Sequence, residues 1–319
     1  MEIRRKLRTT EFVIFLAVVL ECLAFSLFSP SFLTLNNFVN VTLQIAIYGI
    51  LSVGMTLVMI TGGIDLSIGS VVALVGVVAA ILSKKPFLPS DFMVTIAMLA
   101  GIGMGVATGA ASGSLIARFS IPPFIVTLAM MTICRGLVFI VTGGFTEGEL
   151  PAQFGWLGRG HIGFLPVPVV VMLILFAAGY VLLEHTALGR HIYAIGGSEE
   201  ASRLSGIRVR RTKILVYSLN GLLAGLAGVS LAARLGAGAP NSGLGYELDV
   251  IAAVVVGGTS LNGGRGKVLG TLAGTVFIGV LNNGLNLANV DPYTQKVALG
   301  IVILFAVWFD QVQKAVKER

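Results

Sequence analysis

Few side chains within the apolar stretches of this chain carry chemistry. Asp65 stands at the edge of a hydrophobic run, in Thr61-Gly62-Gly63-Ile64-Asp65-Leu66-Ser67. A carboxylate there must be hydrogen-bonded or wet. It can line a polar passage, or Asp65 or Ser67 can cap the next helix by accepting from N–H groups of its first turn. Asn282, Asn283 and Asn286 form a polar patch in a later run. Their amides suit hydrogen bonding to hydroxyl groups along a path, and equally suit hydrogen bonds between helices. The glycine-rich stretch Gly257–Gly266 adds Thr259, Ser260 and Asn262 as candidate path residues. Arg135 is a basic residue inside a run, placed to pair with a carbonyl or an acid or to snorkel to an interface.

Reaction chemistry has no visible carrier. His161, His185 and His191 fall outside the apolar runs, and neither H-E-x-x-H nor G-x-S-x-G occurs. No catalytic or metal-ligating set is expected. Gly263-Gly264-Arg265-Gly266-Lys267-Val268 lacks the leading glycine and the Ser/Thr after lysine of a phosphate-binding loop. The chain is therefore expected to bind no ATP or other cofactor itself. Cys22 and Cys134 both lie in apolar runs and suggest no disulfide framework.

The most polar segment runs from His185 to Lys213 and contains a short helix signal. Ser198 can N-cap it, Glu199 and Glu200 suit the positive end of its dipole, and Gly206 can supply the left-handed stop after Arg203 and Leu204. Such a short helix is unstable alone because nucleation is costly. It is either a docking element for a partner protein or a solvated basic loop.

These residues must be positioned by apolar helices. Of 319 residues, 55% are hydrophobic and 12% charged, with mean hydropathy +0.93 and a pI near 9.6. Soluble proteins carry about 25% charged residues, so the composition predicts an all-α polytopic membrane protein. About ten spans are expected, at roughly 12–28, 39–60, 67–83, 92–117, 122–142, 164–183, 214–234, 247–258, 268–288 and 293–309. The eighth is short and runs into glycines. With the N-terminus inside, sixteen Lys and Arg fall on the cytoplasmic side and five outside, as the positive-inside rule asks. Both termini and the central segment are then cytoplasmic, and basic character needs no nucleic acid to explain it.

Aligning Gly62-Gly63 with Gly257-Gly258 also aligns Leu66 with Leu261. This suggests one transmembrane domain, 1–319, of two related halves (about 1–183 and 214–319) joined by a cytoplasmic loop at about 184–213, or two coincident glycine turns. Glycines at 101, 105, 109 and 113, and at 266, 270 and 274, predict close helix packing.

Three motifs then carry a family resemblance. GGIDLSIGS, AIGGSEEASRLSGI, and GYELDVIAAVVVGGTSLNGGRGKVLGTLAG followed by LNNGLNL resemble the permease subunit of ribose-type ABC sugar importers over nearly the whole chain. The resemblance implies a bacterial inner-membrane subunit paired with a second permease copy, identical or paralogous, within the lipid. It implies cytosolic ATPase subunits that use ATP and Mg, and a periplasmic sugar-binding protein that delivers the solute. Ser198–Gly206 corresponds to the ATPase-coupling loop. Glu200, Ala201 and Gly206 carry that likeness, and Ser202 departs from it. The implied solutes are ribose, other pentoses, hexoses, polyols or autoinducer-2, with a non-sugar solute such as a nucleoside as the alternative.

Overall fold

The computed structural model describes residues 10–86 and 89–317. The basic head before Thr10 lies outside the described residues, as does Arg319, so the charges counted there are not placed. All ten expected apolar runs are helices: α1 (Thr10–Phe28), α2 (Leu35–Ile60), α3 (Ile68–Ser83), α4 (Ser90–Phe119), α5 (Pro123–Thr142), α7 (Val167–His185), α10 (Val209–Leu235), α11 (Tyr246–Val256), α12 (Val268–Leu287) and α13 (Pro292–Lys317). Three short helices join them: α6 (Trp156–Arg159), α8 (Ala187–Gly197) and α9 (Glu199–Leu204). Among the described residues the named strands form one hairpin, β1 (His161–Ile162) with β2 (Leu165–Pro166). The chain is an all-α polytopic membrane protein. By length and composition α2, α4, α5, α7, α10 and α12 suffice to cross a bilayer, while α1, α3 and α13 carry shorter apolar stretches.

At the centre lies α2. Every residue from Ile45 to Ile60 is buried, as expected of a helix apolar on all sides. Beside it α4 and α10 approach each other closely, through glycine. A Cβ on Gly105 would run into the Gly221 carbonyl, and one on Gly109 into the Tyr217 carbonyl. The predicted stripe thus packs backbone against backbone, the arrangement small residues allow in lipid. At the rim of the bundle α5 exposes Phe124, Ile125, Ile133 and Ile140, and α13 exposes Leu304, Phe305 and Trp308. So large an apolar surface suits lipid or another protein.

The eighth run departs from a simple span. Helix α11 has 11 residues, so it rises ~16 Å, about half of the ~30 Å hydrocarbon core. The chain before it is not helical. From Gly236 to Gly245 it descends in turns along α3, with Gly238 against Val77 and Ala80 and Gly243 against Gly69 and Val72. Irregular backbone inside a membrane protein is tolerated where protein surrounds it and satisfies its polar groups. Arg135 does part of this, donating to the Pro240 carbonyl at 2.5 Å and the Ser242 carbonyl at 3.1 Å. Of the partners open to Arg135 from sequence, the backbone carbonyl is the one observed.

The segment 185–213 is also more ordered than a polar loop. Thr186 caps α8 by accepting from Gly189 N at 3.1 Å, and α10 begins at Val209, so Arg210, Arg211 and Lys213 are helical.

Candidate functional site

The docking segment has the start and stop read from sequence. Ser198 Oγ accepts from Ala201 N at 3.2 Å, and Gly206 takes φ +81° just beyond the helix, where a residue with a Cβ is strained. Helix α9 is held by its own chain. Glu199 accepts from Lys213 Nζ at 2.5 Å and from Arg203 at 3.2 Å, and Ser202 is buried. The hydrogen bond from Lys213 holds the Glu199 carboxyl below the ordinary glutamate range, with the charges of Lys213 and Arg203 adding to it against some desolvation. Glu199 is therefore already paired within the chain, which sequence alone did not indicate. Leu204 points outward at 83% exposure and Glu200 makes no ion pair among the described residues, so both are free to meet a partner.

The two glycine breaks stop their helices with the same hydrogen bonds. At the end of α2, Gly62 N donates to Met59 O and Gly63 N to Val58 O; at the end of α11, Gly258 N donates to Val255 O and Thr259 N to Val254 O. The left-handed residues are Gly62, φ +80°, and Gly258, φ +88°. This corrects the sequence alignment by one residue: Gly62 matches Gly258, not Gly257, and Leu66 no longer falls opposite Leu261. Sequence could not show which glycine of each pair takes positive φ, because that depends on where the helix ends.

The breaks also meet in space. Gly264 N donates to Ile60 O at 2.8 Å, and Gly263 lies against the Gly62 backbone. Helix α8 closes the cluster. Gly196 touches Ile60 and Gly264, and Tyr193 donates to Gly266 O at 2.8 Å. Both breaks and the docking segment thus share one end of the bundle. The opposite end carries the β-hairpin and the Lys84–Glu147 pair at 2.7 Å.

Asp65 is buried and fully engaged. Oδ1 accepts from Ser67 N at 2.9 Å and from Ser67 Oγ at 2.6 Å, while Oδ2 accepts from Asn220 Nδ2 at 2.8 Å. Asp65 thus accepts from Ser67 just ahead of α3 and not from the N–H groups of its first turn, and it ties this turn to α10. Ser67 supplies donors to Asp65 and makes no side-chain cap bond of its own. Thr259 and Ser260 are buried in the second break, with Thr259 Oγ1 lacking a hydrogen-bond partner, and Asn262 is exposed.

The amide patch lies elsewhere. Asn286 is ~27 Å along α12 from its start at Val268, far from the breaks. Asn283 and Asn37 exchange amide hydrogen bonds at 2.9 and 3.0 Å, which is helix-to-helix bonding. Asn282 reaches Asp249 at 3.4 Å and Asn286 accepts from Gln295 at 2.9 Å. Sequence reasoning missed Asn220, Lys213 and Tyr193. It also passed over Glu21 in α1, whose carboxylate oxygens are buried without a hydrogen-bond partner among the described residues. A polar residue inside a span was the available signal for Asn220 and Glu21; Lys213 and Tyr193 became visible only with their partners. Among the described residues no cluster of His, Cys, Asp and Glu could hold a metal ion.

Comparison with known proteins agrees with this architecture. The family described as "Branched-chain amino acid transport system / permease component" matches residues 37–307. The chain is 48% identical to the "Ribose import permease protein RbsC" of Escherichia coli (strain K12), over 89% of this chain and 88% of that one. It is 45% identical to the RbsC of Bacillus subtilis (strain 168), covering 94% and 92%. It is 39% identical to the "L-arabinose transport system permease protein AraH" of Escherichia coli (strain K12), covering 96% and 90%. No solved structure matches it. With its model matched over most of the length and such relatives along nearly all of it, the chain belongs to the branched-chain amino acid transport system / permease component family.

Proposed function

We propose that this chain is the membrane permease subunit of an ABC importer for a monosaccharide, with ribose the first candidate and arabinose next. The identity to ribose import permeases along nearly the whole chain carries this reading, and nothing favours a non-sugar solute. The chain is a transport subunit of the bacterial inner membrane and not an enzyme. It binds no cofactor; ATP and Mg belong to a cytosolic ATPase partner, and a periplasmic binding protein delivers the sugar. In this reading the membrane is crossed ten times, the eighth by the extended stretch plus α11. Two related halves make one domain, and both termini lie in the cytosol. A second copy or a paralogue completes the path.

Helix α9 is the proposed ATPase contact. Ser198 and Gly206 define it, Glu199 and Arg203 hold it, Leu204 is its apolar anchor and Glu200 its free charge. Truncating a buried interface anchor commonly costs ~2 kcal/mol or more. Asp65, Ser67, Thr259, Ser260 and Asn262 would shape the inner mouth of the path, and Asn282, Asn283 and Asn286 its wall. The test is uptake of labelled ribose in cells lacking their own ribose permease, supplied with the ATPase and binding protein of this system. Uptake with the native chain, and its loss in Leu204→Asp with membrane levels unchanged, is expected. No uptake of any monosaccharide by the native chain would overturn the reading.

A further inference from the structure

The amides of α12 face more than one another. On α2, Asn40, Gln44 and Tyr48 recur every four residues and so share a helix face. Opposite stand Asn282 of α12 and Tyr246 and Asp249 of α11. The Tyr48 and Tyr246 rings lie 4.9 Å apart, edge to face at 69°. Gln44 stands one helical turn before Tyr48 on that face, and Asn282 Nδ2 approaches Asp249 Oδ1 at 3.4 Å. In the ten-crossing reading the 11-residue α11 covers about half of the bilayer, which puts Asp249, in its first turn, near mid-depth. Gln44 and Asn282 lie between it and the rim where α2 begins and α12 ends.

A contrast within the same helices shows what this group does. Asn37 and Asn283 are both buried and bond each other twice at good distance; they join helices and have little left to offer. Gln44, Asn282, Tyr246 and Asp249 are half-buried, and the Asn282–Asp249 contact is long. Polar groups at membrane depth with surface left open face a wet crevice and not lipid. Amides supply paired donors and acceptors, a carboxylate accepts from adjacent hydroxyls, and tyrosine rings present an apolar body with a polar tip. This set fits a neutral polyhydroxylated ligand. One carboxylate among neutral amides, with no cation in the set, disfavours phosphorylated or acidic solutes.

We infer that Gln44, Tyr48, Tyr246, Asp249 and Asn282 form a mid-membrane contact site for the sugar in transit. The inference rests on the permease reading and deepens it. The test uses the complete importer in liposomes, with labelled ribose on saturating binding protein, and measures sugar delivered per ATP hydrolysed. Removing one neutral hydrogen-bond partner lowers an affinity roughly 2–10-fold, so Gln44→Leu and Asn282→Leu should each lower the ratio on that order. Gln44→Asn, which keeps the amide, should fall less and serves if the leucine variants assemble poorly. Native delivery together with unchanged ratios in assembled Gln44→Leu, Asn282→Leu and Gln44→Asn would overturn the inference alone. A native importer that delivers no monosaccharide would instead overturn the permease reading, and the site with it.

Discussion

The two glycine breaks end their helices alike and are then secured differently. The first, between α2 and α3, is fixed largely by side chains: Asp65 collects two donors from Ser67 and one from Asn220, and Thr127 donates to the Ile64 carbonyl at 3.1 Å. The second, between α11 and α12, is threaded by backbone bonds, with Tyr193 donating to its Gly266 carbonyl. Ser260 N donates to Arg265 O, Gly263 N to Ser260 O and Gly264 N to Ile60 O, while Thr259 Oγ1 is buried without a partner. A short connection can be specified by a few side chains gathered around one carboxylate. A longer one relies on glycines that let backbones touch, and on the neighbouring α8.

The largest effect should follow from breaking the side-chain latch. Asp65→Ala leaves up to three donors without an acceptor in a buried space, at ~3 kcal/mol or more in total. The variant should accumulate poorly in the membrane and unfold early in detergent. Asp65→Asn should be much milder. Asn220 Oδ1 is buried and unpartnered, so its amide can flip and accept from the new Asn. Equal damage in the two variants would mean that the charge, and not the hydrogen-bond count, holds the break.

At the second break Gly264→Ala should come next. Gly264 takes φ +70°, and an added Cβ would lie 3.1 Å from Gly197 N. A left-handed non-glycine costs ~1–2 kcal/mol, readable as a lower unfolding midpoint. An unchanged midpoint would show that the backbone contact between the breaks is slack.

How far the sequence foretold this contrast depends on the kind of interaction. The helices were legible because apolar runs of span length leave few choices, and α9 because Ser198 and Gly206 mark its ends by local chemistry. The packed, non-helical stretch before α11 was not, since Gly236–Gly245 reads as an ordinary loop until Arg135 is seen to satisfy it. Helix α8 was hidden by its glycines at 189, 196 and 197, which lower helix propensity, and by lying within a segment read as a polar loop. The meeting of Ile60 with Gly264 is a backbone contact between residues some two hundred apart, and side-chain patterns do not encode it. Asp65 and the amides stood out as costly in a membrane, but their partners in α2 and α10 did not.

A smaller effect concerns the docking helix. Lys213 keeps the Glu199 carboxyl below its ordinary range, so its contribution is complete above the usual glutamate value, ~4.3, and is lost as pH falls through the lower folded value. Amide-exchange protection of α9 should therefore be flat from pH 7 to about 5 and fall only in stronger acid. The pair is partly exposed, so Glu199→Gln should loosen α9 by no more than ~1 kcal/mol. Loss of protection already near pH 6 would contradict the pairing.

The smallest change is expected at Thr259. Valine removes a buried hydroxyl that has no partner, so Thr259→Val should be neutral or stabilising by up to ~1 kcal/mol. A loss comparable to Asp65→Ala would erase the distinction between the breaks.

The central claim is that both breaks and α9 share one end of the bundle and that this end faces the cytosol. Sidedness of labelling tests it most directly. In a background lacking Cys22 and Cys134, cysteine is placed at Ser205, just after α9, or at Gly148, in the segment that bridges to Gly238 at the other end. An impermeant thiol reagent should label Gly148→Cys in intact cells and Ser205→Cys only in inverted vesicles. Labelling of Ser205→Cys from outside intact cells would contradict the account.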